Sequence, residues 1–159
     1  MSFGTGHHDT TQLMIQVLML LNVKNKSLMD MGCGTGVLAI VASKLGANPI
    51  EAVDIDDWSV ENSIENLAKN NINNVLVHKG DAQILEGKIF HTILANINKN
   101  VLLKDMDRFK KSLEKGGNLL LSGFFETDIE ELKAHAEKVG LKYEERYISN
   151  QWAALHFTN

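Results

Sequence analysis

Apolar and polar positions along the chain follow two alternating periods. Leu13, Met14, Val17, Leu18 and Leu21 repeat at the helical spacing and predict a first helix from Asp9 to about Leu21. Asp9, with Gln12 three residues on, reads as a capping box. Ile15, Met19 and Leu20 add apolar surface outside that stripe, so the helix is either wedged fully into the core or packed on another domain. Short apolar runs predict strands at Ser27–Met31, Ile50–Asp54, Val75–His78, Ile89–Ala95 and Asn118–Ser122. Between them, Val37–Leu45 reads as a helix closed by Gly46. A second runs from a cap at Asp56 or Asp57 to about Asn70, with Val60, Ile64, Leu67 and Ala68 inward. Leu102, Met106, Phe109 and Leu113 mark a third, stopped by Lys115-Gly116-Gly117. Ile129, Leu132, Ala136 and Val139 mark a fourth, closed by Gly140, with Glu126, Asp128, Glu130 and Glu131 as solvated charges at its start. Leu141–Ser149 and Trp152–Phe157, separated by Asn150-Gln151, predict a closing hairpin.

Alternating strands and helices followed by a hairpin predict an α/β fold. The expected form is a doubly wound, seven-stranded, mostly parallel sheet with one antiparallel strand, Rossmann-like in architecture. A length of 159 residues, 44% hydrophobic, suits a single domain. The net charge of −4 and the lack of any basic block beyond Lys110-Lys111 exclude a stand-alone nucleic-acid binder. Cys33 is the only cysteine, so no intrachain disulfide forms, which suits the cytoplasm. Leu13–Leu21 is about half the length needed to cross a bilayer, and no signal peptide is evident, so no membrane association is expected.

In such a sheet the ligand lies beyond the carboxyl ends of the strands. Those ends carry Asp30-Met-Gly-Cys-Gly-Thr-Gly36, Asp54, Asp81, Asn96 and Ser122-Gly123. Three glycines within five residues let a ligand approach backbone and free the first N–H groups of the next helix. Two ligand classes compete for that rim. A dinucleotide needs Gly-x-Gly-x-x-Gly, but Val37 occupies the third position after Gly32 and Gly34. Asp30 would face an anionic pyrophosphate unfavourably, whereas the ammonium and sulfonium of S-adenosyl-L-methionine complement it. Asp54 is placed to accept from both ribose hydroxyls, and Asp81 to meet the adenine amino group. Ile55 beside Asp54 and Ala82 beside Asp81 complete this part of the cofactor-binding set. Trp58 either flanks the base or packs its helix. Cys33 reads as a loop filler, since the sequence places no partner base. His7 and His8 lack the spacing of a metal site, and no metal is expected.

The segments Phe3-Gly-Thr5-Gly-His7-His8-Asp9-Thr10-Thr11, Asp30-Met-Gly-Cys-Gly-Thr-Gly36, Asp54-Ile55-Asp56, Ala95-Asn96-Ile97 and Leu121-Ser122-Gly123 together resemble the bacterial ribosomal protein L-eleven methyltransferase family. The resemblance spans essentially the whole chain. It implies transfer of methyl groups from S-adenosylmethionine to lysine side-chain and terminal amines of a ribosomal protein. It also implies cofactor contacts from Thr11, Gly32, Asp54 and Asn96. The family has Pro where this chain has Asp57, a substitution that suits the first helical turn. It also has an N-terminal substrate-recognition domain preceding the Phe-Gly-Thr-Gly motif at which this chain starts. An excised catalytic domain, monomeric and reaching the ribosomal protein through that missing domain, is the expectation. A natural short relative with another amine substrate is the alternative. The rim places no His or Glu as a base. Asn96, where related amine methyltransferases carry Asn-Pro-Pro-Tyr, is the expected catalytic residue; here Ile97-Asn98 replaces Pro-Pro. Its carbonyl would accept the amine's hydrogens and aim the lone pair at the methyl. Phe3 and Thr5 would cover the cofactor as a lid. A cofactor-binding module inactive alone and, less favoured, an NAD-dependent oxidoreductase are the other functions the sequence allows.

Overall fold

The computed structural model describes residues 8–159, apart from the side chain of His8. The expected positions of Phe3, Thr5 and His7 therefore lie outside the described residues. Parallel strands β1 (Leu28–Met31), β2 (Ile50–Asp54), β3 (Val75–Lys79), β4 (Phe90–Asn96) and β5 (Leu113–Phe125) are followed by β6 (Lys142–Ser149) and β7 (Trp152–Thr158). The sheet order is β3-β2-β1-β4-β5-β7-β6. β7 runs antiparallel to both its neighbours, β5 and β6, which makes it the single reversed strand. All four residues of β1 are buried, as a central parallel strand covered on both faces requires.

Helices α1 (His8–Leu20), α2 (Val37–Lys44) and α3 (Asp57–Lys69) cover one face, and α4 (Lys99–Lys111) and α5 (Ile129–Lys138) the other. Met14, Leu18, Leu28, Leu94 and Leu120 fill the first layer. Met106, Phe109, Phe124, Leu132 and Phe157 fill the second. The chain leaves β1 toward β2 on one side, while β4 flanks β1 on the other. That reversal opens a crevice at the carboxyl ends of β1 and β4.

Four local expectations change. Asp9 lies inside α1, and its carboxylate accepts from Ser149 Oγ (3.2 Å) and Asn150 Nδ2 (3.3 Å) instead of forming a capping box with Gln12. It thereby ties α1 to the β6–β7 turn. Met19 and Leu20 are 64% and 66% exposed, so α1 is not wedged fully into the core. Leu113 does not extend the α4 stripe but opens β5 opposite Phe90. Ser112 ends the helix because its Oγ donates to Leu85 O (3.0 Å) and its carbonyl accepts from Phe90 N (2.8 Å). Residues 114–117 then bulge out before pairing resumes at Thr92↔Asn118. Gly117 fits that bulge because a Cβ there would lie 2.7 Å from the His91 carbonyl oxygen.

The fourth change concerns α3. Its inward residues are Ser59, Ser63 and Leu67, while Ile64 and Ala68 are exposed and Val60 only half-buried. The helix is turned away from its most apolar stripe, and the reason lies in the glycine loop.

Candidate active site

The loop between β1 and α2 carries Gly32, Gly34 and Gly36, all with positive φ. Two of these positions also meet crowding. A Cβ on Gly32 would collide with the Ile97 side chain, and one on Gly36 would sit 3.2 Å from Ser63 Cβ. The second contact explains the rotation of α3. Ser63 Oγ donates to Gly34 O at 2.7 Å, and Asn66 Nδ2 donates to Thr35 O at 2.9 Å. Loop carbonyls that the helix cannot satisfy thus recruit the polar face of α3 in place of Ile64. Cys33 is buried, with Sγ 3.4 Å from Ser63 Oγ. Burial and the nearby Asp30 carboxylate push its thiol pKa up to about 12. It is therefore a neutral filler and not a nucleophile.

Asp54, at the end of β2, fixes the loop from the other side. Its Oδ2 accepts from Gly34 N and its Oδ1 from Asp56 N, both at 3.0 Å. Asp56 caps α3 by accepting from Trp58 N (3.1 Å) and Ser59 Oγ (3.3 Å), which leaves Asp54 facing the crevice. Asp57, the first residue of α3, pairs with Lys79 Nζ at 3.0 Å.

A cavity of about 430 Å³ lies beside this loop. The expected residues Thr11, Asp30, Gly32, Gly34, Asp54, Ile55, Asp81, Ala82 and Asn96 all line it. Trp58 does not: it is 56% exposed and neither reaches the cavity nor packs its helix inward. Two lining atoms stand out. Asp30 Oδ2 and Asn96 Oδ1 are buried and, among the described residues, accept no hydrogen bond. Burial raises the Asp30 pKa to about 7, the charge of Asp54 adds to the rise, and the Ala39 backbone N–H opposes it. Asn96 is held at the end of β4 opposite Ser122, and the next residue donates from Ile97 N to Ser122 O at 3.1 Å. Gly32 and Gly123 both abut Ile97, since a Cβ on Gly123 would collide with the Ile97 carbonyl. Asn98, not Asn96, caps α4 by accepting from Val101 N at 3.1 Å. The Asn96 carbonyl is thereby left to the cavity.

The sequence reading missed Val101 and Asp105, which line the cavity from α4. Asp105 adjoins the apolar stripe of Leu102, Met106 and Phe109, and that juxtaposition was the available signal.

The family model described as "Ribosomal protein L11 methyltransferase" matches residues 1–159. The chain belongs to that family. It is 50% identical over 159 residues to a ribosomal protein L11 methyltransferase of Porphyromonas gingivalis, covering 99% of this chain and 55% of the relative. It is 47% identical over 158 residues to one of Phocaeicola vulgatus, covering 99% of this chain and 56% of the relative. A crystal structure of ribosomal protein L11 methylase from Lactobacillus delbrueckii subsp. bulgaricus superposes with a TM-score of 0.92 at 28% identity, covering 97% of this chain and 80% of that one. The chain thus spans little more than half the length of these curated relatives.

Proposed function

We propose that this chain is the S-adenosylmethionine-binding, methyl-transferring part of a protein N-methyltransferase that modifies lysine side-chain and terminal amines of a ribosomal protein. The observation that carries the reading is the pair of buried acceptors, Asp30 Oδ2 and Asn96 Oδ1, which have no donor among the described residues and share one cavity at the switch point. Buried acceptors without donors are costly, so the cavity suits a ligand that brings donors and positive charge. A pyrophosphate brings neither. The names of the similar proteins support the ribosomal substrate.

In this reading Asp54 holds the ribose hydroxyls and Asp30 balances the cationic arm. Thr11, Gly32 and Gly34 shape the wall around that arm, and Ile55, Asp81 and Ala82 receive the base. When bound, the cofactor supplies an electrophilic methyl group on sulfur. The residues of this chain then have to orient a neutral amine, a species scarce at pH 7 for a group of pKa about 10.4. Asn96 accepts an N–H of that amine and directs its lone pair along the axis of displacement, and the released proton passes to water. The residue thus acts by position, without itself gaining a proton. We infer further that the segment preceding this one in the longer relatives presents the ribosomal protein, and that the chain itself is monomeric, cytoplasmic and free of direct nucleic-acid contact. Among the described residues no helix is long and apolar enough to cross a membrane.

The test is transfer of labelled methyl from S-adenosylmethionine to the ribosomal protein. It is measured for this chain alone and for this chain joined behind the preceding half of the Porphyromonas gingivalis relative. Incorporation by the joined protein supports the reading, and loss of that incorporation in Asn96→Ala assigns the positioning step. Cofactor binding without incorporation in either form would reduce the chain to a binding module.

A further inference from the structure

We propose that Asp105, on α4, is a specificity residue for the base: with Asp81 it forms a carboxylate pair that accepts the exocyclic amino group of adenine. This rests on the reading of the cavity as an S-adenosylmethionine site.

The sheet order settles which end of the cavity takes the base. Along the rim stand Asp81 after β3, Asp54 at the end of β2, the glycine loop after β1 and Asn96 at the end of β4. A ribose at Asp54, with the cationic arm toward Asp30 and Asn96, leaves the β3 end for the nucleobase. Ala82 and Val101 give that end apolar surface for a flat ring, and Ile55, 71% exposed, stands at its mouth. Asp81 and Asp105 are the carboxylates there, and the charge of Asp81 adds to the rise in the Asp105 pKa. Asp81 Oδ1 is already committed to Gln83 N at 2.9 Å.

Asp105 has no structural task that accounts for it. It is only 8% exposed and, among the described residues, enters no hydrogen bond or ion pair. Its neighbours Lys104 and Arg108 lower its pKa, but burial outweighs them and holds it above the ordinary carboxylate range. It stands in the seventh position of α4, beyond the turn where an acid complements the helix dipole. A carboxylate without a partner at the wall of a cavity is free to accept a donor from the ligand. The 6-amino group of adenine carries two N–H donors, enough for one acceptor on each side. The 6-oxo group of hypoxanthine presents an oxygen instead, which two carboxylates repel.

The experiment is calorimetric titration of the 159-residue chain with S-adenosylhomocysteine and S-inosylhomocysteine, which differ at that one position of the ring. The wild type is expected to prefer the adenosyl compound by about 100-fold. Asp105→Asn and Asp105→Ala are expected to shrink the preference by about 10-fold or more, mainly through weaker adenosyl binding. Removing a buried carboxylate should not unfold the chain, and a thermal melt of each variant checks this. An unchanged preference in either folded variant overturns the role of Asp105 while leaving the cofactor reading intact. Failure of the wild type to bind either compound overturns both.

Discussion

Asp30 and Asn96 sit on neighbouring strands and show how one carboxylate and one amide divide a site. Asp30 is destabilising while the cavity is empty, because burial and Asp54 oppose its ionisation. With a folded-state pKa of about 7 against an ordinary 3.8, the native state holds more protons than the unfolded chain across that window. Its contribution therefore lowers stability as pH rises from about 4 to about 7. Asp30→Asn should raise the melting temperature of the empty chain at pH 8 while weakening S-adenosylmethionine binding, which a melt and a titration on the same variant would show. Each kcal/mol recovered should appear as about 2–4 °C for a chain of this size. Binding of the cationic ligand should weaken as pH falls below about 7, with a proton released there; titrations in buffers of different ionisation enthalpy measure that proton. Asn96→Ala in the joined, active protein should lower kcat by about 100-fold or more with cofactor affinity within a few-fold of wild type. Equal loss in both would make Asn96 a binding residue only.

At the scale of elements, the bond between α3 and the glycine loop is the arrangement the hydrophobic pattern hid. Val60, Ile64, Leu67 and Ala68 form the more apolar stripe, yet Ser63 and Asn66 turn toward the loop, because the carbonyls of Gly34 and Thr35 have no other donors among the described residues. Periodicity counts apolar side chains and cannot see an unsatisfied carbonyl in a loop thirty residues earlier. Asn66→Ala should therefore weaken cofactor binding by about 3- to 10-fold through a loosened loop, at a loss of about 1 kcal/mol in stability. Ile64→Ala, on the exposed side, should change stability by no more than about 0.5 kcal/mol and leave binding untouched. Denaturant unfolding with ligand titration separates the two variants. The same blindness misplaced Leu113, which continues the α4 spacing but is captured by Phe90 in the sheet. By contrast, Asp30, Asp54, Asp81 and Asn96 were legible as one rim because each stands at or within two residues of a strand's carboxyl end, and parallel strands deliver those ends to one side.

For the whole molecule, the alternation of strands and helices was enough to fix the seven-stranded sheet and its one reversed strand. The cavity lining was legible on the strand ends and hardest to read on α4, where Asp105 beside the apolar stripe of Leu102, Met106 and Phe109 was the signal that this helix turns a carboxylate toward the crevice. The apolar Met19 and Leu20 on α1 remain uncovered, and the relatives carry nearly as much chain again. Met19→Gln and Leu20→Gln should each shift the stability of this chain by no more than about 0.5 kcal/mol, whereas Leu18→Ala one position away should cost about 2–5 kcal/mol. The central claim is that the crevice between β1 and β4 holds S-adenosylmethionine. Calorimetric titration of this chain with S-adenosylmethionine and with NAD tests it most directly. The account predicts saturable one-to-one binding of S-adenosylmethionine, weakened about 100-fold or more by Asp54→Ala, and no heat from NAD. Binding of NAD in its place, or S-adenosylmethionine binding indifferent to Asp54→Ala, would contradict it.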